Sequence, residues 1–177
     1  MATSQRYSLN KTKYLLDPEV ENLETLLEKF SIKEERNTLL IELALKTGAR
    51  AQEILNLKKS DLNAFDQTLL IKGIKGSSDR EIPLKKDLFE KLMNYAQKVP
   101  GEKIFTVSYN RLRDIWTQYR PVAKKFHSLR HTFAIRLYRK TKDLRLVQLA
   151  LGHRNITNTM IYADYIYSQS ELRKLIL

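Results

Sequence analysis

One stretch of this chain reads as a β-hairpin, and most of the rest carries apolar residues at three- and four-residue spacing. Thr68, Leu69, Leu70 and Ile71 predict one strand and Glu81 and Ile82 a second. KGIKGSSDR is the turn between them, and Pro83 ends the pairing. A single hairpin among many amphipathic helices confines the chain to a mainly α fold with a small antiparallel β element.

The helices are punctuated. Asp17 reads as an N-cap with Pro18 at the first helical position, and Val20, Leu23, Leu26, Leu27 and Phe30 form the buried stripe. A second helix, Glu34 to Thr47, stops at Gly48, which leaves Arg50 on a turn before a third helix carrying Ile54, Leu55 and Leu57. Lys85 to Gln97 and a Ser108-capped helix through Trp116 and Tyr119 follow. From Phe126 the pattern predicts a helix capped by Ser128, then one capped by Asp143 and stopped by Gly152. A short third helix holds Met160, Ile161 and Tyr162, with Asn155 and Thr157 as its capping residues. After Tyr167, SQSELRKLIL is amphipathic, and its Leu172, Leu175 and Ile176 stripe must fold back on the chain or dock on a neighbour. Residues 1 to 16 lack periodicity and read as an arm or linker, and residues 17 to 177 as one domain.

The 177 residues carry 32 Lys and Arg against 20 Asp and Glu, a formal net charge of +12. That excess points to a polyanion, although charge alone does not separate DNA from RNA or an anionic membrane. Residues 17 to 36 are rich in glutamate and residues 111 to 154 in arginine and lysine, which concentrates the positive field on one face. There is no cysteine, no apolar run long enough to span a membrane and no apolar leader segment, so a soluble, cytoplasmic protein is expected. HExxH, paired acidic ligands, a Walker loop and a dinucleotide fingerprint are missing, so neither a metal nor a cofactor is expected.

The reactive residues cluster. His127 and Arg130 stand three apart on one helix, His153 follows a helix-ending glycine, and Tyr162 lies nine residues on. Arg50 stands three before Glu53, a carboxylate able to aim it. Lys72 and Lys75 sit in the hairpin turn, and Lys124 and Lys125 precede His127. Two arginines neutralise phosphodiester oxygens, a tyrosine hydroxyl attacks phosphorus once a base takes its proton, and a lysine protonates a leaving oxygen. Together these groups make up a metal-free phosphoryl-transfer set.

TGARAQEILNL around Arg50, IKGSSDREIPL around Lys75, HSLRHTFA around His127 and Arg130, and LGHRNITNTMIY from His153 to Tyr162 resemble, in order and spacing, the signature boxes of the tyrosine recombinase, or phage integrase, family. The resemblance covers about residues 17 to 167. It implies the catalytic-domain fold of that family without its amino-terminal DNA-clamping domain, and a metal- and ATP-independent site-specific recombinase working through a 3′-phosphotyrosine link. Tyr162 would be the nucleophile, Arg50 and Arg130 the phosphate holders, Lys75 the general acid, His127 the acid/base partner of the tyrosine, His153 a further donor, and Glu53 the residue orienting the arginines. Lys72 is the rival of Lys75 and Tyr165 of Tyr162. Lys72, Lys124, Lys125 and Arg154 are the candidate DNA contacts. Where members of the family often carry a histidine two residues after the tyrosine, this chain has Asp164, to which no role is given. The expected partners are double-stranded DNA and further copies of the chain in a tetramer. A topoisomerase of type IB and a non-catalytic DNA-binding regulator are the alternatives left open.

Overall fold

The structure, a computed structural model, describes residues 9–74, 76–165, 167 and 169–177. Helices α1 (Asp17–Phe30), α2 (Glu35–Thr47) and α3 (Ala51–Leu55) precede a sheet of β1 (Leu62–Asn63), β2 (Thr68–Ile71) and β3 (Arg80–Pro83). Then follow α4 (Lys86–Lys98), α5 (Tyr109–Tyr119), α6 (Ser128–Thr141), α7 (Leu144–Leu151) and α8 (Gln169–Ile176). Two 3-10 turns, Ile156–Asn158 and Met160–Tyr165, separate α7 from α8. The chain is therefore mainly helical with a small antiparallel sheet, as the periodicity predicts. The sheet has one strand more than expected, because two-residue β1 is too short to show an alternation. Its order is β1-β2-β3, with Leu69 opposite Ile82 and Ile71 opposite Arg80.

The apolar stripes of α1 to α5 meet the inner face of the sheet in one core, where Leu23, Leu40, Leu43, Ile54, Ile71 and Leu92 are fully buried. A smaller cluster joins α6 and α7 to the 3-10 turn at 160–165 through Ala134, Ile135, Tyr138, Val147, Leu151 and Tyr162. Residues 9 to 16 close over it. Leu9 and Tyr14 are buried there, Tyr14 meets Tyr165 edge-on at 5.3 Å, and the Tyr165 hydroxyl donates to the Leu9 carbonyl at 2.6 Å.

Several helix ends match the sequence. Gly48 and Gly152 adopt φ 64 and 68 at the ends of α2 and α7, Asp143 accepts from the Arg145 and Leu146 amides, and the Ser108 hydroxyl accepts from Arg111 N–H. Asn155 caps the separate 3-10 turn Ile156–Asn158 by accepting from Thr157 N–H at 2.9 Å, not the turn holding Met160 to Tyr162, and Thr157 lies inside it. Two helix caps differ as well. Asp17 is already the first residue of α1, and Glu19 accepts from the Leu16 amide at 2.8 Å in its place. Ser128 is likewise inside α6, and its hydroxyl donates to the Lys125 carbonyl while His127 stands at the cap position. In α8, Leu175 and Ile176 remain 68% and 74% exposed, so the described chain leaves this apolar end uncovered.

One close approach ties the sheet to α7. Ser78 N–H donates to the Gly152 carbonyl at 2.9 Å, and a Cβ at Gly152 would lie 2.6 Å from the Ser78 carbonyl oxygen. Left-handed backbone costs an L-residue roughly 1–2 kcal/mol before that clash is counted. Gly152→Ala should therefore lose at least about 2 kcal/mol in urea denaturation; unchanged stability would show that this approach is slack.

Candidate active site

The site is assembled where two helices end. Gly48 turns the chain out of α2, and its carbonyl accepts from Arg130 Nη1 at 2.7 Å; the Leu151 carbonyl at the end of α7 accepts from Arg130 Nη2 at 2.8 Å. Helix C-termini carry unpaired carbonyls and partial negative charge, which favours a guanidinium there. Arg130 is only 2% exposed. Its pKa is drawn below the usual arginine value by desolvation and by the charges of Arg50 and Arg80.

Glu53 organises a second layer. Its carboxylate is fully buried, accepts from Arg50 N–H at 2.8 Å and from Arg50 Nη1 at 3.2 Å, and receives the fork of Arg80 at 2.8 and 3.2 Å. Burial alone would raise its pKa, but the Arg80 hydrogen bonds and charge, helped by Arg50 N–H and Arg130, hold it below the usual value. Arg80 Nε also donates to the Ala150 carbonyl at 2.8 Å, which locks β3 to α7. Arg50 Nη1 reaches the Ser77 hydroxyl in the hairpin, and Ser77 bridges His153 in an isolated antiparallel pair. Three guanidiniums around one carboxylate leave an excess of positive charge that an incoming anion neutralises.

The three histidines are neutral at pH 7. Desolvation, followed by the charge of Arg130, pushes His153 down to about 4; desolvation and the charge of His127 push His131 down to about 3. His127 is pushed down to about 4 by desolvation and by Arg130 and Arg50, although part of its ring remains exposed, so it is the one most readily recharged by an anion. Arginine only donates, so His153 Nε2, 2.9 Å from Arg130 Nη2, accepts; its Nδ1 then carries the proton and donates to Thr159 Oγ1 at 2.9 Å.

Arg50 and His127 open onto a groove of ≈ 820 Å³ whose basic wall is completed by Arg113, Arg120 and Lys125. Arg130, His153 and Tyr162 do not line it; Arg130 is joined to its wall through the Gly48 carbonyl, two residues before Arg50. Tyr162 is 1% exposed, and its hydroxyl lies 2.9 Å from His131 Nδ1. It is still near enough for its charge to act on Arg130.

The family model described as "Phage integrase family" matches residues 13–168. This chain belongs to the phage integrase family. It is 35% identical over 165 residues to a tyrosine recombinase of Pseudothermotoga lettingae, covering 86% of this chain and 56% of that one. To the tyrosine recombinase XerC of Staphylococcus aureus it is 34% identical over 189 residues, covering 94% and 62%. Among solved structures it is similar to the XerH site-specific recombinase bound to palindromic difH substrate in a post-cleavage complex, with a TM-score of 0.74, 30% identity, and coverage of 94% of this chain and 54% of that one. The chain thus spans little more than half the length of the relatives it matches.

Of the residues singled out by sequence, Arg50, Glu53, His127, Arg130 and His153 are gathered at this site, and Tyr162 lies beside it facing inward. Lys75 lies outside the described residues. Lys72 pairs with Asp61 at 3.1 Å, and Arg154 is exposed without lining the groove. Lys124 borders the groove, but its ammonium is held by Glu19 at 2.6 Å and the Tyr14 carbonyl at 2.8 Å, which uses its charge inside the fold. His131, Arg80, Arg113 and Arg120 were not singled out. His131 is four residues from His127, Arg80 shares the inward face of β3 with Ile82, and Arg113 of α5 and Arg120 just past its end line the groove together with Trp116 and Thr117.

Histidines whose folded pKa lies below the unfolded value near 6.5 contribute stability that is fully present above pH 6.5. It is lost as pH falls toward their folded values of about 4 and 3. Between pH 7 and pH 5 the unfolding free energy should fall by roughly 2 kcal/mol, counting His131 and a discounted His153. Urea titrations at the two pH values measure this, and a flat or rising stability would contradict the neutral assignment.

Proposed function

We propose that this chain is the catalytic part of a site-specific DNA recombinase that cuts and rejoins strands through a 3′-phosphotyrosine link, without metal or ATP. The observation that carries this reading is a basic groove opened by Arg50 and His127, with Arg130 bonded to the Gly48 carbonyl behind its wall and to His153, and Tyr162 near enough to act on Arg130. The XerH relative crystallised with its difH substrate supports DNA as the ligand of that groove. Arg50 and Arg130 hold the scissile phosphate. The Tyr162 oxygen bonds to phosphorus as the bond from phosphorus to the 5′ oxygen breaks. Neutral His127 takes the phenolic proton, and Lys75 gives one to the departing 5′ oxygen. His153 accepts from Arg130 in this structure; once a phosphate takes over that hydrogen bond, its charge favours uptake of a proton from solvent at Nε2, and the charged ring donates to the phosphate. Glu53 keeps Arg50 aimed. Since the phosphotyrosine conserves the energy of the broken bond, rejoining to another strand needs no nucleotide.

The duplex follows the groove, with Arg113, Arg120 and Lys125 on its phosphates, while Lys72 and Arg154 lie further out. Copies of the chain associate on DNA as a tetramer, and the uncovered apolar end of α8 is the surface they use.

Incubated in EDTA with duplexes of randomised sequence, the chain should form a detergent-resistant DNA adduct whose modified peptide carries the nucleotide on Tyr162. Tyr162→Phe should bind DNA and form none; an adduct on Tyr165, or one persisting in Tyr162→Phe, contradicts the assignment. If the groove meets roughly 6 to 10 phosphates, affinity should drop about 10³-fold or more between 50 and 200 mM salt. Arg113→Ala and Arg120→Ala should each lower the salt slope by about 1, as for any phosphate contact. A slope that neither change moves would place the DNA elsewhere.

A further inference from the structure

We propose that His131 is a positioning residue that parks the Tyr162 phenol inside the fold, so that the nucleophile reaches the groove only when this hydrogen bond is given up. The proposal rests on the reading of Tyr162 as the nucleophile.

A phosphorus atom must come within about 3–3.5 Å of the attacking oxygen. A phosphodiester in a duplex arrives with its sugars and bases, so the oxygen that attacks it must reach the groove. The groove wall contains Arg50 and His127 but not Tyr162, whose side chain is 1% exposed. The phenol ring is packed into the smaller core cluster with Tyr14, Ala134, Tyr138, Val147 and Leu151. Its hydroxyl ends on His131 Nδ1 at 2.9 Å, with the rings 5.9 Å apart.

The two sides of this contact differ in rigidity. His131 stands in the middle of the first turns of α6, directly after Arg130, and is anchored by a 14-residue helix. Tyr162 stands on the six-residue 3-10 turn Met160–Tyr165, where Met160 is half exposed. Such turns have poorer hydrogen-bond geometry than α-helix and are kept short for that reason, so movement falls on the tyrosine side. His131 also touches the groove through one neighbour: the His127 ring lies edge-on to it at 4.8 Å and 87°. An anion that draws His127 toward the groove therefore disturbs the residue holding the phenol. The neutral state of His131 allows the contact to persist across ordinary buffers.

The test uses the whole chain without DNA and reads hydrogen exchange of residues 160–165 by mass spectrometry, with α2 as the reporter of global stability. His131→Leu, which removes the ring nitrogens, and Tyr162→Phe, which removes the hydroxyl, should each speed exchange of residues 160–165 about fivefold while α2 keeps its protection. That factor is the usual contribution of one buried hydrogen bond. The double variant should gain no more than either single one, and His131→Asn, with an amide in the place of Nδ1, should stay within about twofold of the parent chain. Exchange that is unchanged in Tyr162→Phe overturns the proposal, as does a rise shared by α2, or His131→Asn opening as far as His131→Leu. Should His131→Leu fail to fold, Tyr162→Phe and His131→Asn decide the matter. Failure of the nucleophile reading shows up separately, as a parent chain that forms no adduct with DNA, because exchange is measured without any reaction.

Discussion

The site depends on one buried guanidinium fixed between two helix ends. Arg130 donates to the Gly48 carbonyl behind α2 and to the Leu151 carbonyl at the end of α7, and its second nitrogen also meets His153. Removing a cation from water costs several kcal/mol, and the cost is offset only where geometry and hydrogen bonding are good. Here the carbonyls are ones that helix termini leave unpaired, so the cation satisfies groups that would otherwise lack partners. Glycine is needed at both places: Gly48 and Gly152 each take a left-handed turn, and a Cβ at Gly48 would lie 2.4 Å from Phe133 of α6. Tight helix ends, close packing of α6 and the position of Arg130 are one arrangement.

Around this centre the fold balances charge unevenly. Glu53 answers Arg80 and Arg50 but leaves Arg130 largely facing neutral dipoles, and neutral imidazoles fill the remaining space. Imidazoles that stay uncharged beside guanidiniums add no repulsion, yet each acquires a proton more readily once an anion arrives. Preorganised donors with unspent positive charge, rather than any single reactive group, are what a phosphodiester changing its bonds requires. The tyrosine stands apart from this rigid frame on a short 3-10 turn, so the frame that binds and the group that attacks are held by elements of different stiffness.

Much of this was legible in the sequence because local chemistry determines it. Gly48, Gly152, Asp143 and Ser108 end or start elements through their own backbone or side-chain geometry, and the structure uses each as expected. Asp17 and Ser128 are capping residue types that fall one position inside their helices, since Glu19 and the 126–127 turn provide the start instead. What was not legible depends on contacts distant in sequence. Arg80 reads as part of a turn until Glu53, 27 residues earlier, supplies the carboxylate that allows its burial. Lys124 reads as free charge until Glu19, 105 residues away, takes it up. His131 has the right spacing from His127, but only the return of the chain at Tyr162 gives its nitrogen a phenol to hold.

The planar fork of Arg130, and not its charge alone, joins the two helix ends. Urea denaturation of Arg130→Lys at pH 7 tests it most directly, because lysine keeps the charge but offers a single ammonium in place of two separated nitrogens. The variant should lose about 3 kcal/mol or more, as when a buried, hydrogen-bonded cation loses its partners. Stability within about 0.5 kcal/mol of the parent chain, the range of an ordinary surface substitution, would contradict it.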